Sequence, residues 1–362
     1  MSAARGRVVV VVGGGVIGMA TALELALGGV ECALVDPAPG RGASWAAAGM
    51  LSPAAEVAPG EEPLLADLTA AAAMWPEFAA RVHDAGGEDV GLEAVGSVLV
   101  GATRSDAREA ERLAGVIRDA GHAVTEVDAE RLAAIEPTLA SGLAGGFLLD
   151  GDHRVDNRRL VAGLLAAIKA KGVAILEDRC SEVAPGPDGV RVVLEHCGEV
   201  VADRCVVATG AEVPPAGLAD QGLPDVRPVR GVTLRLSSTP GATLPGRTVR
   251  AIVDGVLCYL VPREGRALVV GATSEEQGRA LFARAGGVHQ LLDAARTVLP
   301  GLDELALDEV AVGLRPATPD HLPFVGRLAD PRIVAALGHY RNGLLLAPLA
   351  AARAVDALGV AP

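Results

Sequence analysis

Lysine is almost missing from this 362-residue chain: only Lys169 and Lys171 stand among 32 basic residues, against 45 acidic ones, for a formal net charge of −13. That balance leaves no broad basic face and excludes a nucleic-acid partner held by its phosphates. The remaining thirty basic residues are arginines, so any one of them is more simply a surface ion pair than a functional group. The five cysteines (32, 180, 197, 205 and 258) are odd in number and form no C-x-x-C pair, which argues against a disulfide framework or a zinc site and for a reducing cytoplasm. Tyrosine occurs only twice, and no internal repeat or low-complexity tract is present. A 50% hydrophobic, 21% charged composition excludes wholesale disorder, and the length allows two domains or one with an insertion. The single run near membrane-spanning length, residues 7–27, is interrupted by Gly13, Gly14, Gly15 and Gly18 and carries Glu24; it reads as a buried strand, a tight turn and a buried helix, not a span or a signal.

Val8–Val12 is an unbroken β-branched run, the pattern of a parallel strand covered on both faces. A helical pattern over about 16–26, stopped by Gly28 and Gly29, and a short strand over 31–36 complete a βαβ unit. Further helical patterns cover about 63–86, 106–120 and 153–171, with another start near Asp128. Strand-like runs fall at 95–100, 123–127, 172–178, 191–196 and 203–208. Residues 213–248, rich in Pro and Gly, read as loops or edge strands. Two hairpin-like strands, 251–262 and 267–273, lead to a helix expected at about 275–299, and a strand at 333–338 and a helix over about 345–358 end the chain. Strand–helix signals at both ends around a β-rich middle predict a discontinuous nucleotide-binding domain with a smaller domain inserted in it.

Gly13-Gly14-Gly15-Val16-Ile17-Gly18 is a G-x-G-x-x-G between the first strand and the first helix. The first glycine permits the turn, the second lets backbone approach a pyrophosphate, and the third lets helix and strand pack closely. Free N–H groups and the helix dipole then face the phosphates. Asp36, 23 residues after Gly13, ends the second strand, where a carboxylate accepts the ribose hydroxyls of an adenosine. The following stretch, Ala43-Ser44-Trp45-Ala46-Ala47-Ala48-Gly49-Met50, has small side chains that would let main chain lie against a flat ligand, although an alanine-rich helix start would read the same way.

Residues 8–36 and 43–50 resemble the amino end of the D-amino-acid-oxidase-like FAD flavoproteins, and SWAAAGML is particularly similar to the glycine oxidases that serve bacterial thiamine synthesis. CYLVPR (258–263), VGATSEEQG (270–278), GLRPATPD (313–320) and GHYRNGLLLAP (338–348) extend the resemblance over nearly the whole chain. It implies an α/β fold: a discontinuous Rossmann-like FAD-binding domain (1–86, 150–215 and 308–362) with an inserted α+β substrate domain (87–149 and 216–307). It also implies non-covalent FAD contacts at Val16, Ile17, Asp36, Pro37, Ala43, Ser44, Ala48, Gly49 and Met50, and at Val183 near the adenine. The turn His339-Tyr340-Arg341-Asn342-Gly343-Leu344-Leu345 would hold the pyrimidine end of the flavin. Relatives often carry Glu where this chain has Asp36, and the shorter side chain calls for a small backbone shift.

A small amino acid presents one carboxylate, which a planar guanidinium grips through two parallel hydrogen bonds. Arg315, in Gly313-Leu314-Arg315-Pro316, matches the family's carboxylate-binding arginine; Arg341 would reach the substrate from the flavin side, and Tyr259 would add a phenolic hydrogen bond. His339 and His153 are more simply structural, Cys258 a small buried hydrophobe, and Glu275-Glu276 a solvated helix start. The expected reaction is oxidation of glycine by FAD and O2 to glyoxylate, ammonia and H2O2, in a cytoplasmic protein without a membrane span that assembles as a homo-oligomer. The alternatives are a dehydrogenase or oxidase acting on sarcosine, a D-amino acid or proline, and a flavin-binding subunit without turnover.

Overall fold

The computed structural model describes residues 8–57 and 60–360, so residues 1–7 of the first expected interval, 58–59 within it and 361–362 of the last lie outside the described residues. From the amino end the elements are β1 (Val8–Val12), α1 (Val16–Leu27), β2 (Glu31–Val35), α2 (Ala43–Ala46), β3 (Met50–Leu51), α3 (Leu65–Asp84), β4 (Ser97–Gly101), α4 (Arg104–Asp119), β5 (Thr125–Asp128), α5 (Ala129–Ile135), β6 (Gly145–Leu149) and β7 (His153–Arg154). There follow α6 (Asn157–Ala170), β8 (Ala174–Leu176), β9 (Cys180–Gly186), β10 (Gly189–Leu194), β11 (Glu199–Ala202), β12 (Arg204–Val207), β13 (Arg227–Ser238), β14 (Thr248–Val253), β15 (Val256–Arg263), β16 (Ala267–Gly271), α7 (Ala285–Val298), β17 (Leu305–Ala317), β18 (Phe324–Arg327), β19 (Ile333–Leu337) and α8 (Gly343–Leu358).

The strands form two large sheets. One has six strands in the order β18-β19-β12-β1-β2-β8, parallel except for β18. Its central β1 is all valine because one face is sealed by α1, α3, α6 and α8, and the other by the small antiparallel sheet β11-β10-β9. Helix α1 is apolar on nearly every side and is buried accordingly. The second sheet has eight strands, β17-β13-β16-β15-β14-β4-β6-β5, with α7 and α4 packed on it. Its strands come from 97–149 and 227–317, those of the first sheet from 8–35, 174–207 and 324–337, so the chain crosses between the two units as the patterning implied.

Several expectations need correction. The return to the first sheet falls after Ala317 and not at 308, because β17 pairs with β13 along its whole length, from Leu305↔Ser238 to Ala317↔Arg227. Residues 227–238, expected as loop or edge, form the long interior strand β13; its proline sits second, opposite Pro316, and its glycine faces Gly313, so neither residue breaks the ladder. The run 251–262 is two strands turned at Asp254-Gly255 rather than one. Helix α6 starts at Asn157, where the Asp156 carboxylate accepts from the Arg158 and Arg159 amides, while His153 and Arg154 pair with β3. Helix α7 starts only at Ala285, because Glu275 is drawn out of any helix by paired backbone bonds to Arg230 (2.8 and 2.9 Å).

Candidate active site

A single cavity of about 1230 Å3 runs from the β1–α1 turn, past α2 and β3, to the start of α8, bounded on the far side by the eight-stranded sheet. At its first end Gly13 has φ +110°, left-handed backbone that favours glycine, and a Cβ there would collide with the Ala208 carbonyl. Gly18 does not line the cavity; a side chain on it would strike Gly13 O, so its part is the close packing of α1 on the turn. The amino terminus of α1 carries no side-chain cap and no acid in its first turn, and the Val16 amide donates to Ser44 Oγ (3.0 Å). The remaining amides of that first turn and the positive dipole end suit a phosphate. The Asp36 carboxylate accepts from the Gly14 and Ala38 amides (both 2.7 Å), which fixes it at the cavity wall.

The middle of the wall is Ala43–Ala48, Gly49 and Met50. Gly49 has φ +73°, and a Cβ there would collide with Val155 O, so main chain itself forms the surface. At the far end His339–Leu345 opens α8, whose first turn holds no acid and whose Asn342 gives no side-chain cap. His339 Nε2 and Asn342 Oδ1 are buried without a hydrogen-bond partner, and burial alone holds the imidazole down at about 4, neutral at pH 7. Two buried polar atoms awaiting partners, beside a second uncapped helix end, fit the edge of a flavin. The predicted residues Gly13, Gly15, Val16, Ile17, Asp36, Pro37, Ala43, Ser44, Ala48, Gly49, Met50 and 339–345 thus share one wall. Val183 is not on it: on β9, its side chain is wholly buried against Val10 and Val12 of β1, and its amide bonds Ala216 O (2.9 Å), while Arg179 and Cys180 line that end instead.

Two of the three substrate candidates, Arg315 and Tyr259, stand on the opposite side, on the eight-stranded sheet. Arg315, on β17, lays its guanidinium across Gly231, where any side chain would displace it, and donates from Nη1 to Thr273 O (3.0 Å). No carboxylate among the described residues forms an ion pair with it. Tyr259 stands beside it, its ring packed on Gly271; burial, only partly offset by Arg315, pushes the phenol up to about 12, so it remains a neutral donor. Arg341 also lines the cavity, but Nη2 is engaged by the Glu61 carboxylate (2.7 Å) and the Glu56 carbonyl (3.0 Å).

Glu56 and its partner Arg250 escaped the sequence reading. Arg250, 1% exposed on β14, donates to Glu56 Oε1 (2.5 Å) and Ala55 O (2.8 Å). Burial works to raise the Glu56 carboxyl, but Arg250, Arg341 and Arg315 overcome it and hold it below its ordinary value. The only signal available was a Glu in the loop after Met50, 194 residues from its arginine, in a chain with thirty arginines to choose from.

Comparison with known proteins agrees with this geometry. The chain is 33% identical over 356 residues to the bifunctional protein ThiO/ThiG of Nostoc sp., covering 97% of this chain and 52% of that protein, so it spans about half the length of such relatives. It is 33% identical over 346 residues to the glycine oxidase of Geobacillus kaustophilus, covering 94% of this chain and 90% of that protein. The crystal structure of that organism's glycine oxidase superposes with a TM-score of 0.88 at 31% identity, over 98% of this chain and 95% of that chain, and glycine oxidase from Bacillus cereus gives 0.87 at 25%, over 98% and 95%. The model of the FAD dependent oxidoreductases (DAO) matches residues 8–357. With one cavity running from the glycine turn to the start of α8, two uncapped helix ends facing it and this match over nearly its whole length, the chain belongs to the FAD-dependent oxidoreductase family.

Proposed function

We propose that this chain oxidises glycine, and other small amino acids such as sarcosine, with O2: glycine, water and O2 give glyoxylate, ammonia and H2O2. In this reading the six-stranded unit binds FAD, the eight-stranded unit supplies the substrate groups, and the product feeds thiazole formation in thiamine synthesis, in the cytoplasm and as a homo-oligomer. The observation that carries it is Arg315, a cation on the cavity wall that lacks an ion pair among the described residues, facing the space beside Ala48–Met50. FAD, when bound, supplies a two-electron acceptor for the C–H next to the amine and is reoxidised by O2.

The protein's own residues bind and orient. Arg315 takes the substrate carboxylate through the guanidinium donors not spent on Thr273 O or the Tyr259 hydroxyl. Tyr259 adds a neutral hydrogen bond to the same carboxylate. Glu56 and Glu61 neutralise Arg250 and Arg341, so the site gains attraction for one carboxylate and not for several. No acid–base side chain is demanded if the amine enters deprotonated, and His339 is neutral and buried rather than poised for one.

The test is peroxide release from glycine, sarcosine, D-alanine and D-proline by purified, FAD-loaded protein. Peroxide from glycine supports the reading. Peroxide from none, with reduction of a dye acceptor, makes the chain a dehydrogenase, and no turnover with any makes it a flavin-binding subunit.

A further inference from the structure

Six consecutive carbonyls of the wall-forming loop are tied down away from the cavity. Ser44 O and Trp45 O accept from Asn157 Nδ2 (2.8 and 3.0 Å), and Ala46 O accepts from Thr233 Oγ1 (2.9 Å). Ala47 O accepts from Arg235 Nη2 (3.2 Å), Ala48 O from Arg263 Nη2, and Gly49 O from the Val155 amide (2.8 Å). In a trans peptide the carbonyl and the next N–H point in opposite directions. The Ala48 and Gly49 amides are therefore turned away from the two guanidiniums, and neither meets an acceptor among the described residues. Asn157, Arg235 and Arg263 stand behind the wall, whereas Ala46–Met50 line it, so these two donors face the cavity.

The charge behind the wall is unbalanced. Arg263 has a 4% exposed side chain, and its closest carboxylate, Asp156, lies 3.9 Å from Nε and already caps α6. Glu309 is taken by Arg158 (2.8 Å) and Glu93 by Arg154 (2.6 Å), which leaves four guanidiniums facing three carboxylates. Arg263 Nε and Nη1 and Arg235 Nε have no hydrogen-bond partner. Burial pushes Arg235 and Arg263 down to about 10, so both remain cationic at neutral pH.

We infer that Arg235 and Arg263 are positioning residues which, through the Ala47 and Ala48 carbonyls, aim two polarised amides at the isoalloxazine and raise the reduction potential of the FAD seated there. The inference rests on the proposed seat of the flavin ring against Ala48–Met50. A buried positive charge and oriented N–H dipoles favour the more negative, reduced form of the cofactor over the oxidised one. The arginines act without touching the ring, and their fork reaches the carbonyls in a way an apolar side chain of similar length cannot.

The test compares wild type with Arg235→Met, Arg235→Lys, Arg263→Met and Arg263→Lys, reading the midpoint potential against a reference dye and the FAD dissociation constant by fluorescence titration. Each Met variant is expected to shift the oxidised–reduced equilibrium about tenfold or more toward oxidised FAD, a fall of about 30 mV for a two-electron couple. The Lys variants are expected to stay within about threefold of wild type, since they keep the charge. Unchanged potentials in the Met variants, or an equal fall in the Met and Lys variants, would overturn the inference. Where a Met variant does not fold, the Gln variant at that position takes its place. Ala48→Phe tests the seat separately: unchanged FAD affinity with that ring in the wall would refute the seat itself, whatever the arginine variants do.

Discussion

Replacing Arg315 by Ala removes the one cation assigned to the substrate carboxylate. The guanidinium is half-buried, spends one donor on Thr273 O at 3.0 Å, and forms no ion pair among the described residues, so the rest of its fork is available to a ligand. Truncating one side of a partly desolvated, hydrogen-bonded charge pair costs about 2–5 kcal/mol, and ~3 kcal/mol corresponds to about 150-fold in kcat/KM. Arg315→Lys keeps the charge but loses the second prong, and about tenfold is expected from one charge-assisted hydrogen bond. Gly231→Ala supplies an independent check that keeps the arginine itself: its Cβ would collide with the guanidinium, so it too should cost about tenfold. All three should keep bound FAD and its yellow colour, because Arg315 lies across the cavity from the phosphate turn. The assay is peroxide production against glycine concentration, with the flavin spectrum recorded on the same samples. If Arg315→Ala stayed within about threefold of wild type in kcat/KM, far below the expected ~3 kcal/mol loss, the carboxylate grip would have to be assigned elsewhere.

Gly49→Ala puts a Cβ onto Val155 O at φ +73°, and FAD affinity of the apoprotein should drop about tenfold or more, as read by fluorescence titration. Tyr259→Phe loses one neutral hydrogen bond, worth about 0.5–1.5 kcal/mol, so KM for glycine should rise about three- to tenfold. With the phenol pushed up to about 12, Tyr259 should contribute no titration to the wild-type rate profile below about pH 11. His339, held down at about 4 when folded against about 6.5 when unfolded, makes the unfolded chain bind more protons between those values. Stability is then unaffected above about pH 6.5 and falls by about 2 kcal/mol from pH 7 to pH 5, and His339→Gln should remove that part of the slope in urea unfolding of the apoprotein.

The first sheet was legible because each of its signals is local: five valines in a row, a glycine turn, a second strand ending in Asp36. The second sheet was harder. β13 carries Pro228 and Gly231, residues that read as loop, and only pairing with β17 and β16 on either side, 30 to 90 residues away, turns them into an interior strand. Arg315 and Arg341 were readable from motifs, yet the difference between them was not. One forms no ion pair among the described residues and the other is held by Glu61, a contact across 280 residues. Arg235 and Arg250 gave no signal at all and Arg263 only its place at the end of CYLVPR, since nothing local separates a buried arginine from a surface one in an arginine-rich chain. Val183 shows the converse: the resemblance gave a residue whose side chain this chain packs into the core.

The central claim is that one cavity holds FAD and, beside it, a small amino acid gripped by Arg315. An anaerobic titration of FAD-loaded protein with glycine tests it most directly, followed by the flavin absorbance near 450 nm. The account predicts bleaching of the wild-type flavin at glycine concentrations that leave Arg315→Ala yellow. A wild-type spectrum unmoved by saturating glycine, or equal bleaching of both proteins at the same concentration, would contradict it.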